Sequence, residues 1–256
     1  MLWELWASLR TDCPPDLRRL GYRYGAVACL ARARRCAKAW APHQERTKAA
    51  IHAALAWAGP GDTAIVLGSG PCLDLPVPAL LARFPKLVLV DAAHPPPAKA
   101  LARRHPGIEL VSLDLTGTAA GLLDPDAPAP PRPGCTALLD RPGVGLVVSA
   151  NLLSQLPLLP VAAASARWPG LEGDRFARAV VEAHLAHLRA FNCPALLVTD
   201  VRRRAYGHDG ALLSDEDPLA GLALPPGEEW DWDMAPRGEL PGGKQLVTRV
   251  RAVRVG

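Results

Sequence analysis

The chain has 256 residues, 49% of them apolar and 21% charged, which suits one well-cored domain with an extension and excludes a disordered chain. Its formal charge of +4 is mild, but Arg10, Arg18, Arg19, Arg23, Arg32, Arg34, Arg35, Lys38, Arg46 and Lys48 crowd the first fifty residues as a solvated helix face or a surface for an anion. The six cysteines form no C-x-x-C pair, no apolar run nears the ~18 residues of a membrane helix, and the start lacks signal-peptide features, so a cytoplasmic protein without metal, disulfide framework or membrane span is expected.

From Pro15 to about Trp57, Ala, Leu and Arg dominate and predict helices, with Gly21 and the Ala41-Pro42 pair as interruptions. Residues 1–60 are therefore read as a helical N-terminal extension and 61–256 as the main domain. Gly59-Pro60-Gly61-Asp62 breaks the helical pattern, and Thr63 to Leu67 reads as a buried parallel strand ending in glycine. A helix from Leu75 to Phe84 and a strand Leu87 to Val90 closed by Asp91 follow. A helix near Ala98 to Arg104, strands Ile108 to Leu113 and Val144 to Ser149, a helix Asp174 to Phe191 and a strand Ala195 to Thr199 continue the alternation. The Pro-rich stretch from Asp124 to Gly134 is an exposed connection. Glu229 to Met234 and Leu246 to Val253 alternate with period two around Pro241-Gly242-Gly243 and predict an antiparallel pair. The fold class is α/β: a Rossmann-like, mainly parallel sheet ending in an antiparallel hairpin.

Gly68-Ser69-Gly70-Pro71-Cys72 stands where the first strand passes toward a helix, the place where an open parallel sheet binds a nucleotide. Glycine there lets a ligand approach the backbone, although a tight structural turn would use the same residues. Asp91 lies 91 − 70 = 21 residues beyond the second glycine, close to the spacing of a ribose-binding acid. Asp114, after the third strand, occupies the next edge of the same crevice, in reach of an adenine amino group. The bland reading of each acid is a helix cap or a solvated loop.

These residues resemble the class I S-adenosylmethionine-dependent methyltransferases over roughly Asp62 to Thr199, and the final hairpin suits that fold. The resemblance implies S-adenosylmethionine as cofactor, with Gly68, Ser69 and Gly70 near its methionine part, Asp91 on ribose and Asp114 toward adenine. Two departures stand out: Val66 occupies a position that is commonly an acid in the family, and Cys72 a position that is commonly glycine. Asp74 either replaces the missing carboxylate at the cofactor's amino group or caps the following helix. The end of the fourth strand lines the sulfonium and acceptor in that family, which implies cleft positions for Asn151, Ser154 and Gln155. Asn151 or Ser149 alternatively caps the next helix, and for Ser149 the cap is preferred.

His208, after the fifth strand, is a candidate acceptor-facing base or an ordinary loop histidine, and His94 could border the adenosine pocket. His184 and His187 share a helix face, but no further metal ligands join them, so packing is expected. Trp230 and Trp232 point the same way, as core or as an aromatic wall. A G-x-x-G spacing that would need glycine at Leu73 disfavours a nicotinamide cofactor, and neither a G-x-S-x-G elbow nor a P-loop lysine is present. The expected activity is methyl transfer to a small-molecule acceptor by direct displacement, with nucleic acid disfavoured as a partner because no aromatic–basic interleaving is visible. The alternative is a methyltransferase-like scaffold without turnover, motivated by Val66 and Cys72. Neither catalytic residues nor the oligomeric state follow from the sequence.

Overall fold

The structure is a computed structural model, and it describes residues 2–255. Four helices come first: α1 (Leu2–Arg10), α2 (Pro15–Arg19), α3 (Tyr22–Arg35) and α4 (Ala37–Ala54). Gly21, at φ +93, separates α2 from α3. The next break falls at Cys36 and not at Ala41-Pro42, and α4 runs through Pro42. The proline is exposed and removes one helical hydrogen bond, and the burial of its neighbours Trp40 and His43 against β7 anchors the helix on either side of it.

Strands and helices then alternate as β1 (Thr63–Leu67), α5 (Val77–Arg83), β2 (Lys86–Asp91), α6 (Pro96–Arg104), β3 (Ile108–Ser112), α7 (Ala119–Leu123), β4 (Val144–Ala150), α8 (Leu158–Arg167), α9 (Gly173–Ala190) and β5 (Ala195–Tyr206). Three strands close the chain: β6 (Leu212–Glu216), β7 (Glu228–Ala235) and β8 (Gln245–Val255). The sheet runs β3-β2-β1-β4-β5-β8-β7, with β6 paired to the outer part of β5. The first five strands in that order are parallel, whereas β8 is antiparallel to both β5 and β7. The fold is thus α/β with a mainly parallel mixed sheet, and the period-two tail forms the antiparallel pair that its alternation predicts.

All five residues of β1 are buried, as expected of a strand covered on both faces. Ala64 and Val66 face one core with Leu87, Leu89, Leu146 and Val148, while Ile65 and Leu67 face the other with Val88, Val90 and Val147. The second core is closed by α9 through Phe176, Val180, Val181, Leu185 and Leu188. The first is closed by the N-terminal helices, which contribute Trp40, Ala50, Ile51 and Ala54. Fully burying a side chain such as Ile51 is worth about 1.5–3 kcal/mol, so the N-terminal helices share the main core through residues of α3 and α4.

The basic N-terminal stretch is partly engaged within the molecule. Arg35 and Arg32 reach Glu239, Arg46 reaches Glu228, and the Arg34 guanidinium lies 3.9 Å from the centre of the Trp3 ring. Such exposed pairs contribute little stability each, yet they orient α3 and α4 over the β7 edge. Among the described residues, no helix is long and apolar enough to cross a membrane, and no cluster of three His, Cys, Asp or Glu side chains could hold a metal.

Ser149 caps no helix. It lies within β4, fully buried, and its hydroxyl shares a 2.9 Å hydrogen bond with His184 Nε2. Burial lowers the His184 pKa to about 3, so the ring stays neutral in the folded protein, while the unfolded chain protonates it near 6.5. The folded pKa is depressed, so this contribution to stability is present above the unfolded value and is lost as pH falls from 6.5 toward 3. Replacing His184 with Asn is expected to remove one proton taken up on unfolding, flattening the dependence of urea-unfolding free energy on pH by up to about 1.4 kcal/mol per pH unit near pH 5. Parallel curves for the two proteins would contradict this account.

Candidate functional site

Strand order reverses between β1 and β4, whose neighbours on either side lead away in opposite directions along the chain. Crossovers therefore leave from opposite faces of the sheet, and a crevice opens at the carboxyl ends of these two strands. A cavity of about 350 Å³ occupies that position, a size suited to a small ligand.

Its floor is the turn after β1. Gly68 takes φ +78 and Gly70 φ +47, and both Gly68 N and Ser69 N donate to the carbonyl of Val90, at 2.9 and 3.1 Å. The turn is thereby tied to the end of β2. A Cβ on Gly68 would meet Leu152 Cβ at 2.7 Å, whereas one on Gly70 would have nothing within 4 Å. The Ser69 hydroxyl is buried without a partner. Cys72 sits at φ +59, the left-handed conformation that glycine adopts most readily, so the turn keeps that shape in spite of the side chain.

Asp91 ends β2 and crosses to the turn: Gly70 N donates to its Oδ2 at 2.8 Å, and Ala93 N to its Oδ1 at 3.3 Å. Each oxygen retains acceptor capacity for a further donor. Burial raises the Asp91 pKa, opposed by the Gly70 hydrogen bond and the charge of His94. Asp74 does not cap the following helix, because α5 starts only at Val77, after Pro76, and has no side-chain cap. Its Oδ2 instead accepts a 2.7 Å hydrogen bond from Asn151 Nδ2, and burial raises its pKa. Asn151 follows β4 at φ +50, and its carbonyl accepts from Gln155 Nε2 at 2.7 Å.

The structure thus brings Gly68, Ser69, Gly70, Asp74, Asp91, Asn151 and Gln155 to one cavity. Four other candidates lie outside its lining. Asp114 folds back on its own turn, accepting from Thr116 N at 2.9 Å, Thr116 Oγ1 at 2.6 Å and Ala119 N at 2.7 Å, and its neighbours Leu113 and Leu115 line the cavity in its place. The Ser154 hydroxyl donates to buried Asp200. His208 is exposed in the turn after β5. β5 continues from Val198, which pairs with the end of β4, to Tyr206, and those extra residues at about 3.3 Å each carry His208 away from the crevice. His94 is buried but does not line the cavity; its backbone pairs with Asp12.

The N-terminal helices supply lining residues that the sequence reading missed. Tyr22 and Cys29 come from α3, and Trp40, His43 and Gln44 from α4, facing Trp232 of β7. The one available signal was the spacing of Trp40, His43 and Thr47, which puts large and polar side chains on one helix face that is buried. The cavity lining, all of it among described residues, includes two carboxylates and no Lys or Arg.

No protein-family model matches the chain, and no curated protein matches it in sequence.

The two glycines make different demands. Gly68→Ala forces a backbone contact in a strained conformation and is expected to destabilise by about 2 kcal/mol or more, whereas Gly70→Ala should cost about 1–2 kcal/mol for its left-handed backbone alone. Urea unfolding of the two variants checks this order, and equal losses would refute the packing role given to Gly68.

Proposed function

We propose that the protein is an S-adenosylmethionine-dependent methyltransferase of Rossmann-like fold, acting on a small-molecule acceptor. The observation that carries this reading is the junction of the Gly68-Ser69-Gly70 turn with Asp91 at one cavity, made by the 2.8 Å hydrogen bond from Gly70 N to the carboxylate. A carboxylate so placed at the end of the second strand of a β3-β2-β1-β4-β5 sheet suits a ribose diol.

The character of the remaining wall favours an adenosyl sulfonium over a dinucleotide. A pyrophosphate needs helix N–H groups or cations beside the glycine turn. Here α5 begins at Val77, seven residues beyond Gly70, and the neighbouring charges are the acids Asp74 and Asp91. Those acids disfavour an anionic group and suit a cofactor carrying a positive sulfur and an amino group. The Ser69 hydroxyl, buried without a protein partner, is a further group that a ligand would satisfy.

Two departures from the family pattern gain physical accounts that weigh against an inactive scaffold. Val66 is fully buried in an apolar core, where an acid would be costly, and Asp74 brings a carboxylate to the cavity by another route. Cys72 preserves the left-handed turn.

Bound S-adenosylmethionine supplies an electrophilic methyl group on a cationic sulfur. Asp91 would hold the ribose, the turn with Ser69 would border the methionine part, and Asp74, fixed by Asn151, would meet the amino group. Asn151 and Gln155 at the end of β4 border the acceptor position; Gln155 Nε2 is engaged by the Asn151 carbonyl, which leaves its amide oxygen to orient a donor on the acceptor. His43 has Nδ1 occupied by the Trp230 indole and a pKa lowered by burial to about 3, so it is poorly placed to act as a general base. Rate enhancement would come from alignment and exclusion of water, which suits an acceptor already nucleophilic at neutral pH.

Calorimetry with S-adenosylhomocysteine tests the reading. Binding is expected for the unaltered protein, and Asp91→Ala should lose about 1.5–3 kcal/mol, the worth of hydrogen bonds to a charged group. Asp91→Asn retains an acceptor for Gly70 N and controls for loosening of the turn. A dissociation constant unchanged in Asp91→Ala, or no binding by the unaltered protein, would overturn the assignment.

A further inference from the structure

One part of the cavity wall is aromatic and leaves one ring donor, on His43, without a protein acceptor. His43 stacks on Trp232 with ring centres 3.9 Å apart and planes 7° from parallel, and Trp40 meets Trp232 edge-on at 4.9 Å and 78°. Trp230 Nε1 donates to His43 Nδ1 at 3.1 Å, and Trp40 Nε1 donates to the Met234 carbonyl at 2.9 Å. An indole N–H only donates, so His43 Nδ1 must accept, and the neutral ring carries its proton on Nε2. Among the described residues, no protein group accepts from that Nε2–H. The Trp232 indole N–H also lacks an acceptor, but its burial seals it from the cavity. An occupant that brings an acceptor to the His43 donor gains the roughly 0.5–1.5 kcal/mol of a neutral hydrogen bond.

Charge narrows the class of that occupant. The lining includes Asp74 and Asp91 and no Lys or Arg among the described residues, and the cation that acts on Asp74, Lys48, lies outside the lining, so an anionic group without a cation of its own would enter against two acids. Protonating His43 would not supply one, because burial holds the ring neutral.

We infer that the wall formed by Trp40, His43 and Trp232 is a subsite for a small, uncharged, planar molecule, an aromatic or heteroaromatic ring whose accepting atom takes a hydrogen bond from His43 Nε2–H. The occupant's role as methyl acceptor rests on the methyl-transfer reading above; the subsite itself rests on the donor and the charge of the wall. It excludes acceptors that would carry a phosphate or carboxylate into the cavity.

Ligand-observed NMR titration of the full chain tests it with four probes: quinoline, naphthalene, quinoline-2-carboxamide and quinoline-2-carboxylate. On the unaltered protein the carboxamide is expected to bind about tenfold tighter than the carboxylate, because the latter buries an unpaired charge. His43→Phe keeps a ring on Trp232 and removes the donor. It should weaken quinoline about three- to tenfold, the worth of a neutral hydrogen bond, and leave naphthalene within about twofold. The variant also strands Trp230 Nε1, and if it fails to fold, the carboxamide–carboxylate comparison decides alone. Saturating S-adenosylhomocysteine should leave quinoline binding in place. Equal binding of the carboxylate, equal weakening of both ring probes in His43→Phe, or displacement of quinoline by S-adenosylhomocysteine would each overturn the subsite. Probe selectivity without any S-adenosylhomocysteine binding would retain the subsite while refuting methyl transfer.

Discussion

The Gly70 peptide N–H and the Asp91 carboxylate meet at 2.8 Å across the ends of two adjacent strands, and the cavity has its form because of that contact. A carboxylate sequestered at a strand end would lack solvation; the Gly70 and Ala93 peptides replace part of it. In return the charge fixes a glycine turn whose backbone has no other tie to that side chain. Gly68 is pressed against Leu152 and the Ala150 carbonyl, so the β1 turn and the β4 turn are set together. Asp74 and Asn151 complete the same linkage from the opposite side. One network of backbone donors and two acids therefore determines the shape of a site drawn from three strands.

The roof of the cavity comes from a different source. α3 and α4 pack onto the first core and the β7 edge and are joined to them by the Trp40–Met234 and Trp230–His43 hydrogen bonds. The clustered arginines make sense in this setting. Arg32, Arg35 and Arg46 sit opposite Glu239 and Glu228, which flank the same edge strand, so their charge serves to seat the helices as much as to face solvent.

The sequence made the sheet legible wherever a strand is buried on both faces, because a run such as Thr63 to Leu67 with glycine after it has few other conformations open to it. The β7–β8 pair was legible for the opposite reason, its strict alternation. The turn residues and Asp91 could be read because their spacing is fixed by the length of one strand, one helix and the next strand. The roof could not. Trp40 and His43 lie in an Ala- and Arg-rich stretch with Pro42 between them, and what they face is set by β7, almost two hundred residues later. Asp114 was placed along the chain, but its carboxylate is engaged by Thr116 and Ala119 groups within five residues, a local demand that spacing does not announce. His208 was misplaced because a strand's length past its last parallel partner leaves little trace in composition.

The order of the sheet also bears on how the site is assembled. β7 joins the sheet only through β8, which lies between it and β5 although it is the later strand in the chain. Trp232 is thus joined to the sheet beside His43 only when residues 245–255 lie between β5 and β7. The crevice over β1, β2 and β4 is built from strands that pair without β8. A chain in which β8 is not yet paired would leave the apolar helix surface around Trp40 without its β7 cover, so the aromatic wall depends on a strand that does not itself line the cavity.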